Sequence, residues 1–212
     1  MAYQSWSVVY GEQPSAAKWN ILGTNDAGFN DGTGIADDAI TAPKINFGGS
    51  GTGVWWEEIG RTTLGSNGDT ISVTSLPERK YLKILVYVLA TGTIETIIRF
   101  NNDSGNNYTW TFGDVVNVAT EAASSDAIPT EPSSTTGYNF VTAEILNIAT
   151  KEKLYFGNTV ADKTTGAGSA PKASVTYGKW VNTSDAINRI DVVNGLTGDF
   201  VSGSELVVLG HN

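Results

Sequence analysis

The side chains that most often perform catalysis are scarce in this 212-residue chain. It has no cysteine, and its one histidine, His211, is the second residue from the end. A Ser-His-Asp arrangement needs an imidazole held in a fixed position, and a chain end is a poor place to hold one. Thiol catalysis, Cys-based zinc sites and disulfide bonds are excluded by composition. We therefore expect no catalytic residues, no zinc site and no enzymatic activity.

The remaining acid–base groups are carboxylates, and a glycosidase would need two of them to converge on one sugar bond. Glu57 and Glu58 are adjacent, so in a strand their side chains point to opposite faces. Glu95 and Glu144 could face a shared concavity, and the sequence alone leaves this open. The simpler interpretation places these carboxylates at solvent-facing strand positions.

Oxygen-rich turns give weak candidates for a calcium site. Asp26 and Asp31 lie in one such turn, and Asp103 lies in another. Neither stretch has the ligand spacing of an EF-hand, and Asp and Asn are common in turns because they tolerate left-handed backbone conformations. The glycine-rich segments do not join a strand to a helix, so no phosphate-binding loop is predicted. The turn interpretation is favoured, and we expect no metal and no cofactor.

Six tryptophans and eight tyrosines supply rings that could stack on sugars. Trp55 and Trp56 are adjacent, so in an extended chain one ring could lie in the core and the other at the surface. If the protein binds glycans, Trp56 and Tyr108 are the predicted binding residues. Trp110 and Trp180 lie in alternating strands and are predicted to be core residues.

From Val54 onward, the hydrophobic pattern is that of successive short β-strands. Residues 80–91 are apolar at both alternating sets of positions, which predicts a strand buried on both faces. Residues 94–101 alternate more cleanly, and Gly92 lies in the short loop between these two runs, so we predict a hairpin. Further runs bring the count to roughly eight to ten strands. We predict an all-β fold, a jelly-roll-like antiparallel β-sandwich.

The chain is predicted to have two parts, residues 1–53 and residues 54–212. The first part contains mostly turn residues and too few spaced hydrophobic residues to fold alone, so we interpret it as an extended N-terminal arm for docking and assembly. The second part is the sandwich. Within it, residues 114–138 lack a sustained hydrophobic period and are predicted to form a long exposed loop. The predicted partner-binding anchors of the arm are Trp6, Tyr10, Trp19 and Phe29.

The charge balance argues against two classes of partner. The formal net charge is −9, and the 13 basic residues are scattered along the chain. Nucleic-acid binding and attachment to an anionic membrane both need clustered Lys and Arg, so neither is expected. The N-terminus has no secretory signal pattern, and no apolar run is long enough to span a bilayer. We expect a soluble protein that is made in the cytoplasm without an export signal.

Three stretches resemble tailed-phage virion structural proteins. The opening SWSVVYGEQPSAAKWNILGTNDAGFNDGTGI, Ser5 to Ile35, is similar to the N-terminal segment of such proteins. Trp56 to Tyr108 is similar to their jelly-roll-like domain, and Ser202 to Asn212 resembles the last strand of that domain. This family has no shared catalytic residues to transfer.

The resemblance implies a non-enzymatic virion structural protein of the tail, fibre, decoration or capsid-surface type. Its location would be the virion, and its partners would be other virion proteins and copies of itself, with a trimer as the expected homo-oligomer. The alternative is a carbohydrate-binding module or receptor-binding protein that recognises glycans of the host surface.

Overall fold

The computed structural model describes residues 13, 15–17, 20, 56–114, 120–130, 137–162, 166–168 and 170–212. The chain divides into two units, Met1–Gly53 and Val54–Asn212. Nearly all of the first unit lies outside the described residues. The extended arm therefore stays a prediction, as do its four anchors, Trp6, Tyr10, Trp19 and Phe29.

Every regular element in the described part of the second unit is a β-strand. β-branched and aromatic residues, which fit a pleated sheet well, are common in these segments. In chain order the strands are β1 (Glu57–Thr63), β2 (Thr70–Val73), β3 (Tyr81–Thr91), β4 (Thr96–Phe100), β5 (Tyr108–Asp114), β6 (Thr120–Ser125), β7 (Ile128–Pro129), β8 (Tyr138–Leu146), β9 (Lys153–Asp162), β10 (Lys172–Trp180), β11 (Ile190–Asn194), β12 (Asp199–Phe200) and β13 (Glu205–His211).

The strands form two antiparallel sheets with jelly-roll topology. The large sheet has the order β1-β13-β3-β8-β9-β10-β5-β6, with β12 also paired to β3, and the small sheet has the order β2-β11-β4-β7. Within these, β1-β13-β3-β8 and β2-β11-β4-β7 are the two four-stranded sheets of a jelly roll, in which successive connections cross from one sheet to the other. The predicted all-β, jelly-roll-like sandwich is therefore confirmed.

Two strand pairs widen the large sheet beyond this eight-stranded framework. The pair β5-β6 is inserted between β4 and β7, and the pair β9-β10 is inserted between β8 and β11. Both add to the large sheet on the far side of β8, where β9 pairs with β8 and β5 pairs with β10. The large sheet consequently extends well beyond the small one and presents a broad outer surface.

The hydrophobic core lies between the two sheets. Leu82, Ile84 and Val86 point inward from β3 and are fully buried in one cluster with Ile98 of β4 and Val192 of β11. Burial of each such side chain stabilises the fold by about 1.5–3 kcal/mol. The opposite face of β3 is not covered by the described residues, so the prediction that β3 is buried on both faces is wrong.

The predicted hairpin between residues 80–91 and 94–101 is also wrong. β3 belongs to the large sheet and β4 to the small sheet, so the connection that contains Gly92 crosses the edge of the sandwich. Gly92 has the positive φ expected of such a turn, +78°. A short loop with a glycine fits both a hairpin and a crossing, because only the tertiary partners of each strand decide between them.

The described part of the predicted exposed loop, residues 114–138, contains strands. β6 pairs with β5, and β7 pairs with β4 at the edge of the small sheet. Ile128 is fully buried in the core, and the Thr130 amide donates a hydrogen bond to the Thr96 carbonyl. The buried residues 127–130 are consecutive, so their insertion leaves no periodic signal in the sequence.

Candidate functional site

The outer surface of the large sheet exposes an unusual number of large hydrophobic side chains. Nine of them lie on this surface, with exposed fractions between 37% and 57%. Two other exposed hydrophobic residues of the described part, Val181 and Leu196, lie outside it. We name the surface the outer aromatic face and define it by Trp56, Tyr81, Tyr87, Tyr138, Phe140, Leu154, Phe156, Val160 and Tyr177.

Strand alternation explains why this face is apolar. In β9, Tyr155 points into the core, whereas Leu154 and Phe156 point outward. Phe156 stands opposite Tyr177 of β10 in the strand register, and their stacked rings are 5.5 Å apart. Such cross-strand aromatic pairs stabilise a sheet and also form a flat, rigid surface.

One end of the outer aromatic face is concave. The concavity has a volume of about 470 Å³, and Trp56 and Tyr81 line it on one side while Phe156 and Tyr177 line it on the other. Leu154, two residues before Phe156 in β9, also lines it. A more polar depression of about 580 Å³ shares Leu154 and Tyr177 with it. The two depressions are therefore neighbours on the sheet.

Two lysines at the face form ion pairs, and a third, Lys80, lies over the ring of Tyr81 at 5.0 Å. Within the face, Lys83 Nζ lies 3.6 Å from a carboxylate oxygen of Glu144, which also lines the concavity. Beside it, Lys179 forms an ion pair with Glu152 at 2.8 Å. These pairs are partly exposed, so each contributes little to stability, but they leave few uncompensated charges on the surface.

Arg61 forms ion pairs with two carboxylates at the β1 edge of the same sheet. Its guanidinium donates hydrogen bonds to both Glu58 and Glu205. The hydrogen bond from Arg61 lowers the pKa of Glu58, and the Thr63 hydroxyl followed by Arg61 lowers that of Glu205. Both carboxylates therefore stay ionised next to the cation that compensates them.

Of the two predicted glycan-binding residues, the structure places only Trp56 at the surface. Trp56 is 40% exposed and lines the concavity. Tyr108 is fully buried, and its ring stacks on Trp180 with the ring centres 6.3 Å apart. Its hydroxyl accepts a hydrogen bond from the Phe100 amide. The prediction that Tyr108 binds glycan is therefore wrong, because Tyr108 is the first inward-facing residue of β5.

The predicted core tryptophans occupy the interior as expected. Trp180 is buried, and Trp110 is partly buried and packs against the core.

The weak calcium candidate that the structure describes, Asp103, is occupied by hydrogen bonds within the protein. Its carboxylate accepts from the Trp180 indole N–H at 2.7 Å, from the Gly105 amide at 2.8 Å and from the Asn107 side-chain amide at 2.9 Å. Its role is therefore that of a turn residue. The described residues contain no group of three or more His, Cys, Asp or Glu side chains placed to hold a metal ion. Asp26 and Asp31 lie outside the described residues.

The structure does not bring Glu95 and Glu144 together in one concavity. Glu144 lies on the outer surface of the large sheet beside Lys83. Glu95 lies directly before β4 of the small sheet, where its side chain lies beside Gly195. Burial, and then repulsion from Asp126, raises the pKa of Glu95. These two carboxylates cannot act as a glycosidase pair.

His211 is held in position rather than loose. It pairs with Tyr81 as the last residue of β13, and its ring lies 6.0 Å from the ring of Trp56 and 6.3 Å from that of Tyr81. It therefore supports the wall of the concavity.

Sequence reasoning did not assign a surface role to Tyr81, Leu154, Phe156 or Tyr177. A signal was available in the second apolar face of β3, which the small sheet does not cover. That pattern predicts burial inside the monomer, whereas the structure leaves the face exposed among the described residues. The pattern alone cannot distinguish a strand that is buried on both faces in its own fold from a strand whose second apolar face is free to contact another molecule.

The comparisons with known proteins are sparse. No protein-family model matches the chain, and no curated protein is significantly similar to it. One structural match is the CBM2 module of the evolved Dit protein of Lactobacillus casei BL23 phage J-1, at 9% identity and a TM-score of 0.17, over 72% of this chain and 76% of that chain. A TM-score this low does not establish a common fold. Within the described residues, no helix has the length and hydrophobicity needed to cross a bilayer.

Proposed function

We propose that the chain is a non-enzymatic structural protein of a bacteriophage virion, a tail, decoration or capsid-surface component. Its N-terminal arm would attach it to the particle, and its jelly-roll domain would contact further copies, other virion proteins or the host. The resemblance of Ser5 to Ile35, Trp56 to Tyr108 and Ser202 to Asn212 to virion proteins supports this proposal. The jelly-roll topology of the second unit agrees with it.

The observation that most favours a binding and assembly role is the outer aromatic face. Large exposed apolar patches on soluble proteins mark surfaces that contact a partner. Aromatic residues are the side chains most enriched in such interfaces, and charged residues are depleted at their centres. Lys83 and Lys179 beside this face each form an ion pair with a neighbouring glutamate, which suits a contact surface better than a reaction centre.

The proposal is tested with purified particles of the phage that encodes the chain. We expect mass spectrometry to detect the chain in washed particles. We expect a chain that lacks residues 1–53 to be expressed and folded but missing from the particles. A particle preparation without the full-length chain would contradict the virion assignment. Normal incorporation of the truncated chain would contradict the role of the arm.

A second candidate function is carbohydrate recognition, and the concavity is the observation that favours it. Aromatic rings of Trp56, Tyr81 and Tyr177 are suited to stack on the apolar faces of sugar rings. Glu144 could accept hydrogen bonds from sugar hydroxyls, and the neighbouring Lys83 could donate them.

A glycan array with the full-length chain tests this second candidate. We expect a Trp56→Ala or Tyr177→Ala variant to lose binding, since each removes a stacking surface. The matched control is Leu196→Ala, because Leu196 is as exposed as Trp56 and lies outside the face. Absence of binding by the unmodified chain, or equal binding by all variants, would eliminate this candidate.

A further inference from the structure

We propose that the outer aromatic face is the surface on which a second copy of this chain docks, with the two large sheets packed face to face. This inference rests on the proposed structural function and names the partner of that surface. It commits to a two-fold, isologous contact, in which the same residues of both copies meet.

The exposed area of the face matches what a stable contact between two copies needs. A large hydrophobic side chain presents about 200 Å², so nine side chains with exposures of 37–57% present roughly 800 Å². Stable interfaces bury about 800 Å² on each partner. The nine side chains together therefore expose about as much area as one side of a stable dimer interface buries.

The charge distribution permits two identical copies to approach through this face. The chain as a whole carries a formal charge of −9, so contact through a randomly chosen surface would be opposed by repulsion. On the face, Lys83 compensates Glu144, and at its border Lys179 compensates Glu152. Arg61 offsets one of its two partner carboxylates, Glu58 and Glu205, and Lys80 lies over the Tyr81 ring as a further positive charge. The formal charges of these residues cancel, and a nearly neutral apolar surface is complementary to itself.

Large and small side chains alternate in rows across the sheet, so the face has a shape that can pack against a copy of itself. One row across the strands contains Phe156 and Tyr177, and a parallel row contains Tyr87 opposite Phe140. The row between them has smaller side chains in register, among them Thr142 opposite Asn158. Aromatic ridges on one copy can lie over the shallow central row of the other, as happens when sheets pack about 10 Å apart.

The chain offers sharp variants for a test, because they alter exposed side chains and leave the core intact. Phe156→Asp and Phe140→Asp each place a charge in the proposed contact, where it would be buried without a partner. Val181→Asp and Leu196→Asp are the matched controls, since these two residues are similarly exposed but lie outside the face. Urea unfolding of every variant checks that the fold is kept.

Sedimentation velocity and light scattering of the full-length chain give the first readout. We expect a mass of about twice 22.4 kDa for the unmodified chain and for both controls. We expect the two face variants to associate at least about tenfold more weakly. A monomer at about 100 µM, a trimer, or association unaffected by Phe156→Asp and Phe140→Asp would each overturn the inference.

Thiol cross-linking gives a second readout that is independent of affinity. The chain has no cysteine, so Asn158→Cys introduces a single thiol in the central row of the face. Packed sheets lie about 10 Å apart, which is too far for a direct disulfide but within reach of a bis-maleimide with a spacer of about 10 Å. Two copies that meet near this row should be joined by this reagent, whereas Leu196→Cys should not be joined. Addition of Phe156→Asp should weaken the cross-link. Equal cross-linking of both cysteine variants would contradict the proposed contact.

These outcomes are separable from those of the proposed function. A monomeric chain that is nevertheless found in virions would remove the two-fold contact and leave the virion role in place. A dimeric chain that is absent from virions would do the reverse. A monomer that binds sugar through Trp56 would assign the face to carbohydrate instead.

Discussion

Replacing Asp103 with asparagine tests how the connection between β4 and β5 is held in place. This connection crosses from the small sheet to the large one, and the Asp103 carboxylate joins it to Trp180 of β10. The Gly105 amide and the Asn107 side chain donate to the same carboxylate. Burial raises the pKa of Asp103, but the three hydrogen bonds together outweigh burial and leave the pKa below the ordinary aspartate value.

We expect Asp103→Asn to lower the free energy of unfolding by about 2–3 kcal/mol at pH 7. Hydrogen bonds to a charged group contribute about 1.5–3 kcal/mol, and the asparagine amide also turns N–H groups toward the existing donors. The buried Trp180 side chain would then lack a full acceptor. For a domain of this size the melting temperature should fall by roughly 4–12 °C.

The loss should depend on pH in a defined direction. The folded-state pKa of Asp103 lies below the unfolded-state value of about 3.9. Its contribution to stability is therefore complete above that value and is lost as the pH falls through the folded-state pKa. The unmodified chain and Asp103→Asn should therefore converge in stability as the pH falls through the folded-state pKa of Asp103.

Urea unfolding monitored by tryptophan fluorescence measures this difference at each pH. Glu78→Gln is the control, because the Glu78 side chain is exposed and makes no hydrogen bond or ion pair to the described residues, its backbone carbonyl alone accepting from Arg79. It should change stability by less than about 0.5 kcal/mol. The reasoning is refuted if Asp103→Asn is equally mild at pH 7, or if its full deficit persists at acidic pH.

Three further changes have expected outcomes that thermal or urea unfolding can check. Gly198→Ala should destabilise the fold by more than about 2 kcal/mol, because the new Cβ would lie 2.3 Å from the Thr91 carbonyl oxygen. Gly65→Ala is the control and should be nearly neutral, since a Cβ on Gly65 would meet no atom within 4 Å. Tyr108→Phe should cost about 1–2 kcal/mol, since the buried hydroxyl bonds the backbone, and an unchanged midpoint would contradict this. Burial, and then the neighbouring carboxylate of Asp126, raises the pKa of Glu95, so ionisation of Glu95 opposes folding at neutral pH. Glu95→Gln should therefore raise the melting temperature at pH 7. This gain should vanish below about pH 4.3, where Glu95 is protonated in both the folded and the unfolded state.

The amino-acid sequence was sufficient to predict the fold class and most of the strands. Residues 80–91 and 205–209 have strong strand patterns, and the structure places β3 and β13 there. Alternation with period two reports which residues can share a face, and it needs no knowledge of the partner strand. The inward position of Trp180 followed from the same rule.

Strand partners could not be read from the same pattern. The loop with Gly92 could join two strands of one hairpin or two strands of different sheets. The structure has the second arrangement, because β4 pairs with β11 and β7 in the small sheet. Ile128 shows the same limit, since β7 is held by the short buried run 127–130, which has no periodic signal. Long-range pairing is a property of the whole chain, so local sequence does not determine it.

The candidate site shows most clearly what each level decides. The sequence alone determined that β3 has two apolar faces and that Trp56 is a candidate surface ring. Only the tertiary structure decided that the small sheet covers one of those faces, that Tyr108 turns inward, and that Phe156 and Tyr177 stack beside the concavity. The physical reason is that the hydrophobicity of a side chain sets only the free-energy gain when it leaves water. The fold determines which apolar side chains the monomer buries and which stay exposed on its surface.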